Sequence, residues 1–462
     1  MDRRTFLKTA GATAVATLGG AWAVTAAAPH PTPVQLKIQN ARYRLRNNAT
    51  DGMVSLSPNT PPPVLRLKQG IRFAADVVNT LPDATAMHWH GIRLPNKMDG
   101  VPYLTQWPIM QGETWRYEFT SQDAGTYWYH PHCMTMEQMA RGLTGILIVE
   151  ERDDPGFDGE TALNLRDFRL GDDDQFAKLY SARRAARGGT LGNVMTANWE
   201  QNPVYTHSAG SLVRLRLAAT DTTRIYQLTI DGAEGRVIAM DGHPIRESVS
   251  WPTEQQPLVL GPGQRADIAV VMPAQEGRDV VIAHRGGGRV RALARLHSVG
   301  ADRRRNLRDL SPLTANEVPD IDRKSAQMID LAIGWSPDGT KPNNGFCGSI
   351  GPNFWAINRT AWPGDAVKET GAIANLKLGQ SYIMRLRNES PNTHPIHIHG
   401  LVFRPLRSNQ RTLPSNWTDT IVVRKNEVID IGFVADNPGE WALHCHVIEH
   451  QKTGLAGYIR VA

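Results

Sequence analysis

Near the end of the chain stands Trp441-Ala442-Leu443-His444-Cys445-His446-Val447-Ile448-Glu449-His450, a run built from residue types that hold metals. Imidazole and thiolate are the favoured protein ligands of copper and zinc. On a strand, alternate side chains point to opposite faces, so His444 and His446 project one way and Cys445 the other. That arrangement suits two different metal centres placed back to back. One His-x-His pair alone is weak evidence, because isolated histidines are ordinary and a buried thiol often serves as a small hydrophobe. Here there are four clusters: His88-x-His90, His130-x-His132, His394-x-x-His397-x-His399 and His444-Cys445-His446-x-x-x-His450. They hold ten of the fifteen histidines. Cys445 with His394 and His450 makes the two-imidazole, one-thiolate set of a blue copper centre. The other eight histidines are too many for one zinc site. All-imidazole ligation at several centres suits copper that binds and reduces oxygen.

The elements that must position these residues are legible as a repeat. Leu67-Lys68-Gln69-Gly70 through Asn79, Pro82 and His88-Trp89-His90-Gly91 matches Leu376-Lys377-Leu378-Gly379 through Asn388, Pro391 and His397-Ile398-His399-Gly400, at a constant offset of 309. Farther on, the eight residues from Gly125 to His132 match those from Gly439 to His446. Gly142-Leu143-Thr144-Gly145 matches Gly454-Leu455-Ala456-Gly457 after a two-residue change in length. The first and last domains are therefore copies of one fold. Thr85 stands where His394 is, and Pro131 where Cys445 is. The first copy thus cannot form its own blue centre, and a cluster shared between the copies is expected, with four histidines from each.

The middle of the chain carries weaker echoes. Val213-Arg214-Leu215-Arg216-Leu217 resembles Met384-Arg385-Leu386-Arg387, with apolar residues where histidines would stand. It reads as a third copy without ligands, and His207, His243, His284 and His297 as ordinary histidines. Thirty prolines, 41 glycines and runs such as LVRLRLAA predict strands and turns throughout.

These motifs resemble those of the three-domain multicopper oxidases, the laccase and copper-efflux-oxidase family, over essentially the whole chain beyond its first 28 residues. The resemblance implies an all-β protein of three cupredoxin-like Greek-key β-sandwiches, at 29–150, 151–310 (no copper ligands) and 325–462. It implies four coppers. His394, Cys445 and His450 would hold the type 1 ion, and His88 and His397 the type 2 ion. His90, His130 and His446 would hold one type 3 ion, and His132, His399 and His444 the other. Electrons from a small aromatic reductant or Cu(I) would enter at Cys445 and reduce dioxygen to water at the cluster. Asp99, in Met98-Asp99-Gly100, matches a carboxylate near the cluster in related oxidases and is a candidate proton donor, although an Asp-Gly pair also makes turns. Leu455 stands where many bacterial members have an axial methionine, so a blue centre of higher potential is expected. Gln451 replaces a glutamate that several members use in proton delivery.

Composition bounds the remaining choices. A net charge of +6 with no basic stripe and interleaved aromatics gives nucleic-acid binding no support. Asp2-Arg3-Arg4-Thr5-Phe6-Leu7-Lys8, followed by a weakly apolar run and Ala26-Ala27-Ala28, resembles a twin-arginine export signal cleaved near Ala28. The run is short for a membrane anchor, which needs roughly 20 apolar residues. A periplasmic or secreted monomer that meets the twin-arginine machinery is expected, and in an oxidising compartment Cys133 and Cys347 have the option of a disulfide. Glu150 to Pro155 and Ala301 to Lys324 read as linkers, and Arg183-Arg184-Ala185-Ala186-Arg187 as solvated surface. Laccase-like oxidation of phenols is the leading expectation. A cuprous oxidase would carry a methionine-rich insert, and Gly400 to Asp419 contains no methionine. Met134, Met136 and Met139 read as core. A copper-free structural relative would have lost its ligands, whereas all eleven positions are filled here.

Overall fold

A computed structural model describes residues 31–246, 249–337, 345–347 and 350–462. Six sheets pair face to face as three β-sandwiches, with strands lying within 34–150, 159–299 and 327–461. In each, the opening strand runs parallel to a later one: Val34–Tyr43 beside Arg72–Asn79, Gly159–Phe168 beside Leu212–Ala219, and Gln327–Trp335 beside Ser381–Asn388. The facing sheets repeat the device with Leu65–Lys68 and Gly145–Glu150, Val204–Ser208 and Arg289–Val299, and Ala374–Leu376 and Ala456–Val461. Parallel neighbours cannot be joined by a tight hairpin and need a crossover. The same two crossovers in three places are the cupredoxin-like Greek key. The arginine-bearing echo of the sequence occupies equivalent strands, Leu212–Ala219 and Ser381–Asn388.

Burial shows where the domains meet. A strand with one wet face alternates buried and exposed residues, as Leu65–Lys68 does. Met87–His90, Gly125–Pro131 and His394–Ile398 are instead buried at every residue. One face of each looks into its own sandwich: Trp89 packs on Phe73, Tyr117 and Phe119, and Ile396 and Ile398 lie in the apolar core. The other face is covered by the opposite domain, and that face carries His88, His90, His130 and His397.

The middle sandwich has a separate core around Leu163, Leu215, Leu217, Ile268 and Ile282. It meets the first domain through polar groups. Arg214 and Arg216 reach Asp267 at 2.6 and 3.0 Å, and Thr126 donates to the same carboxylate at 2.6 Å. Cys133 and Cys347, 214 residues apart, form a disulfide between the first and third domains. Met136 and Met139 are buried against Ala185 and Ile448. The leader expected over residues 1–28 lies outside the described residues, among which no helix is long and apolar enough to cross a membrane.

Candidate metal centres

Strand register assembles the histidines. Met87–His90 pairs antiparallel with Gly125–Pro131 so that His88 lies opposite His130. His394–Ile398 pairs with Gly439–Cys445 so that His397 lies opposite His444 and Ile396 opposite Cys445. Directly opposed residues share a face, so both pairs point across the domain boundary. Two stacks close it: His88 on His399 and His90 on His397, each with ring centres 3.8 Å apart. Ligand atoms lie within 4.8 Å of one another in three sets: His88, His90 and His397; His90, His130 and His446; His132, His399 and His444. The last two are the sets that the resemblance gives to the type 3 pair, and the first contains the type 2 pair.

Cys445 faces the other way, into the core of the third domain. Its Sγ lies 3.6 Å from His394 Nδ1 and 3.6 Å from His450 Nδ1, and those two nitrogens are 3.1 Å apart. The centre of such a triangle is about 2 Å from each corner, close to a metal–imidazole bond length. Trp355 lies against both rings, with centre distances of 4.9 and 4.7 Å. Leu455 is fully buried in the same apolar cluster as Cys445, Trp355 and Val447. Burial pushes the Cys445 thiol up, so its thiolate requires a cation beside it.

The cluster meets the same test. His88 Nε2, His90 Nδ1, His130 Nε2, His397 Nε2 and both nitrogens of His446 are buried with no hydrogen-bond partner among the described residues. A buried polar atom left unpaired costs about 1–3 kcal/mol, and a ring of them aimed inward fits bound cations. Burial drives His90, His130, His132, His399 and His446 well below the ordinary imidazole pKa, which keeps them in the neutral, ligating form.

The opposite ring nitrogens are held. His88 Nδ1 donates to the Asp99 carbonyl at 2.7 Å, His397 Nδ1 to that of Asp419 at 2.9 Å, and His444 Nδ1 to that of Cys445 at 3.0 Å. His450 Nε2 donates to the Arg187 carbonyl at 2.5 Å, and His394 Nε2 sits 2.8 Å from Ser390 Oγ. Such partners fix tautomer and ring orientation. Asp99 bridges the domains, its carboxylate lying 3.3 Å from His88 Nδ1 and 2.9 Å from His399 Nδ1. The Gln451 amide lies 3.5 Å from His132 Nε2.

Sequence reading missed a second carboxylate. Asp419 accepts from His90 Nε2 at 3.0 Å, and its other oxygen pairs with the fully buried Arg265 of the middle domain at 2.6 Å. Burial opposes ionisation there, but the guanidinium holds the Asp419 carboxyl well below the usual range. Nothing in the sequence near Trp417-Thr418-Asp419-Thr420 flags this role, because its partners are 154 and 329 residues away. In the first domain, where no blue centre was expected, Thr85 Oγ1 donates to Gln138 Oε1 at 2.7 Å. After the length change in the repeat, Gln138 is the counterpart of His450. A neutral hydrogen bond thus fills the place of a ligand pair.

A thiolate triangle and an eight-imidazole cluster that meet on the strand carrying His444 and Cys445, within three cupredoxin-like sandwiches, define a copper-dependent oxidase. Profiles described as multicopper oxidase match residues 37–154 and 343–462. The crystal structure of a multi-copper oxidase from Pseudomonas thermotolerans is 37% identical, with a TM-score of 0.83 over 93% of this chain and 99% of that one. That of a multi-copper oxidase from Pseudomonas parafulva is 35% identical, with a TM-score of 0.81 over 93% and 100%. Multicopper oxidase MmcO of Mycobacterium tuberculosis is 27% identical over 86% of this chain and 80% of its own length. The chain belongs to the multicopper oxidase family, whose members use four coppers.

Proposed function

We propose that this chain is a laccase-like oxidase. It takes single electrons from small phenols and aromatic amines at the Cys445 centre and passes four to dioxygen at the histidine cluster, giving two waters. When bound, copper supplies the one-electron chemistry and the place where dioxygen is reduced. The ligands are those grouped above: His394, Cys445 and His450 for type 1, His88 and His397 for type 2, and the two remaining trios for type 3.

The observation that carries the substrate class is residue 455. A buried leucine in the position expected for an axial ligand has no donor atom, and a centre without an axial thioether has a higher potential. Phenols demand such a potential. The buried Met136 and Met139 offer no sulfur to Cu(I) from solvent. Asp99, whose carboxylate lies against His88 and His399, serves as the proton donor in this reading, whereas the Gln451 amide cannot. Export through the twin-arginine route to the periplasm or beyond belongs to the same proposal. Steady-state kinetics of the copper-loaded protein on a phenol, an aromatic amine and Cu(I) test it. Faster turnover of both aromatics than of Cu(I) is expected, with no strong dependence on added copper. Cu(I) as the better substrate, or phenol turnover rising many-fold with extra Cu(II), would move the chain to the copper-detoxifying branch.

A further inference from the structure

Between Lys178 and Gly192 the middle domain sends out a segment that belongs to neither of its sheets. Arg169 clasps both ends, donating to the carbonyls of Lys178 at 2.9 Å and Leu191 at 3.3 Å. Three contacts fasten this strap across the Cys445 centre. Trp355 Nε1 donates to the Ala185 carbonyl at 2.8 Å, His450 Nε2 to that of Arg187 at 2.5 Å, and Thr190 Oγ1 to Glu449 Oε1 at 2.8 Å. His450 is fully buried, so its imidazole edge does not meet solvent. At its Nε2 the covering layer is the backbone of residue 187. Arg183, Arg184 and Arg187 are exposed on this strap, and residues 175–199 contain no Asp or Glu.

We propose that the strap is the docking site for the reductant and selects small anionic ones, such as carboxylated or sulfonated phenols. The inference rests on electrons entering at the Cys445 centre, as in the function proposed above, and takes His450 as the edge nearest the strap. Each guanidinium presents a planar fork that matches a carboxylate or sulfonate. The shortest route from a docked anion to the thiolate centre runs through the Arg187 peptide and its hydrogen bond to His450. Each reductant loses one electron and departs in its one-electron-oxidised form. Four such encounters, with four protons, balance one dioxygen reduced to two waters. The Debye length is about 8 Å at physiological ionic strength, so the preference acts at close range and weakens with salt.

The test compares the copper-loaded full chain with its R183Q/R184Q/R187Q variant on hexacyanoferrate(II) and on neutral guaiacol. Retained blue absorbance verifies an intact centre in the variant. The ratio of kcat/KM, anion over neutral, should fall about tenfold, at the lower end of electrostatic steering. Isothermal titration with hexacyanocobaltate(III), a redox-inert trianion of the same shape, reads docking without turnover. The unmodified protein should bind it, and the variant about tenfold more weakly. An unmoved ratio, equal losses on both substrates, or unaltered anion binding would overturn the proposal. If the unmodified protein binds the cobalt anion and oxidises hexacyanoferrate(II) but ignores every phenol, the laccase-like reading fails and the strap's role stands.

Discussion

Arg265→Met probes a side chain of the middle domain that reaches the cluster's supports. Its guanidinium donates to Asp419 at 2.9 and 2.6 Å, to the Thr126 carbonyl at 3.1 Å and to the Gly263 carbonyl at 2.8 Å. A single buried group thus touches all three domains. Methionine fills similar volume but strands the Asp419 carboxylate, and removing one partner of a buried ion pair costs about 3–5 kcal/mol. For a unit of a few hundred residues that corresponds to roughly a 10 °C fall in the unfolding midpoint. Asp419 also holds His90 at 3.0 Å and lies 3.3 Å from His397 Nδ1, and losing a partner of this kind typically lowers metal affinity about 10–100-fold. The measurements are calorimetric unfolding and copper content per chain. The variant should melt early and carry fewer than four coppers, yet keep the blue absorbance that reports on the distant Cys445. Adding Asp419→Asn should restore part of the stability, because an amide leaves no stranded charge. A full copper complement with an unchanged midpoint would refute the reasoning.

Cys445→Ser should abolish the intense blue band and oxidase turnover while unfolding stays cooperative; a surviving charge-transfer band would show that another residue forms the centre. Leu455→Met should lower the blue-centre potential in a redox titration, because an axial thioether stabilises the oxidised ion, and an unchanged or raised potential would mean that residue 455 is not axial. Burial pushes His243, a middle-domain residue that is not a ligand, down to about 4. Its unfolded pKa is near 6.5, so the unfolded state takes up the proton first as pH falls. The neutral side chain's contribution is complete above about pH 6.5 and is lost between there and about pH 4, on the order of 3 kcal/mol. Denaturation midpoints followed across that window should drop, and His243→Gln should flatten the curve; an equally steep curve for the variant rejects the assignment.

What was legible in the sequence was local. His-x-His spacing states which side chains share a strand face, and the 309-residue offset states that two such faces belong to equivalent sheets. From these, the thiolate set, the shared cluster of eight histidines and the missing blue centre of the first copy could be read, while the division of that cluster into type 2 and type 3 sets is implied only by the family resemblance. The supports of the ligands could not be read. Arg265 and Asp419 carry no spacing signal, since each acquires its role only when three domains dock. The run from Arg183 to Arg187 reads as solvated surface; its three arginines are exposed, but Ala185 is buried and the backbone of Arg187 caps His450. A charge run reports where its side chains go and says nothing of its carbonyls. Gln138 was hidden by the two-residue change in length, which shifts it out of line with His450.

The Cys133–Cys347 bond takes on meaning when the redox state of the medium is considered. Cys133 directly follows His132, and the carbonyl of Cys347 accepts from Met134 N at 3.0 Å and from Lys452 Nζ, two residues past His450, at 2.8 Å. Sulfurs 214 residues apart meet only after the first and last sandwiches have docked. Closing a loop of that length removes about 5 kcal/mol of chain freedom from the unfolded state. The bond therefore works as a latch across the seam between the two halves of the cluster. In a reducing medium the two halves are joined by packing and hydrogen bonds alone. In an oxidising medium the bond tethers the two halves of the cluster, so that a momentary loss of docking no longer lets them drift apart.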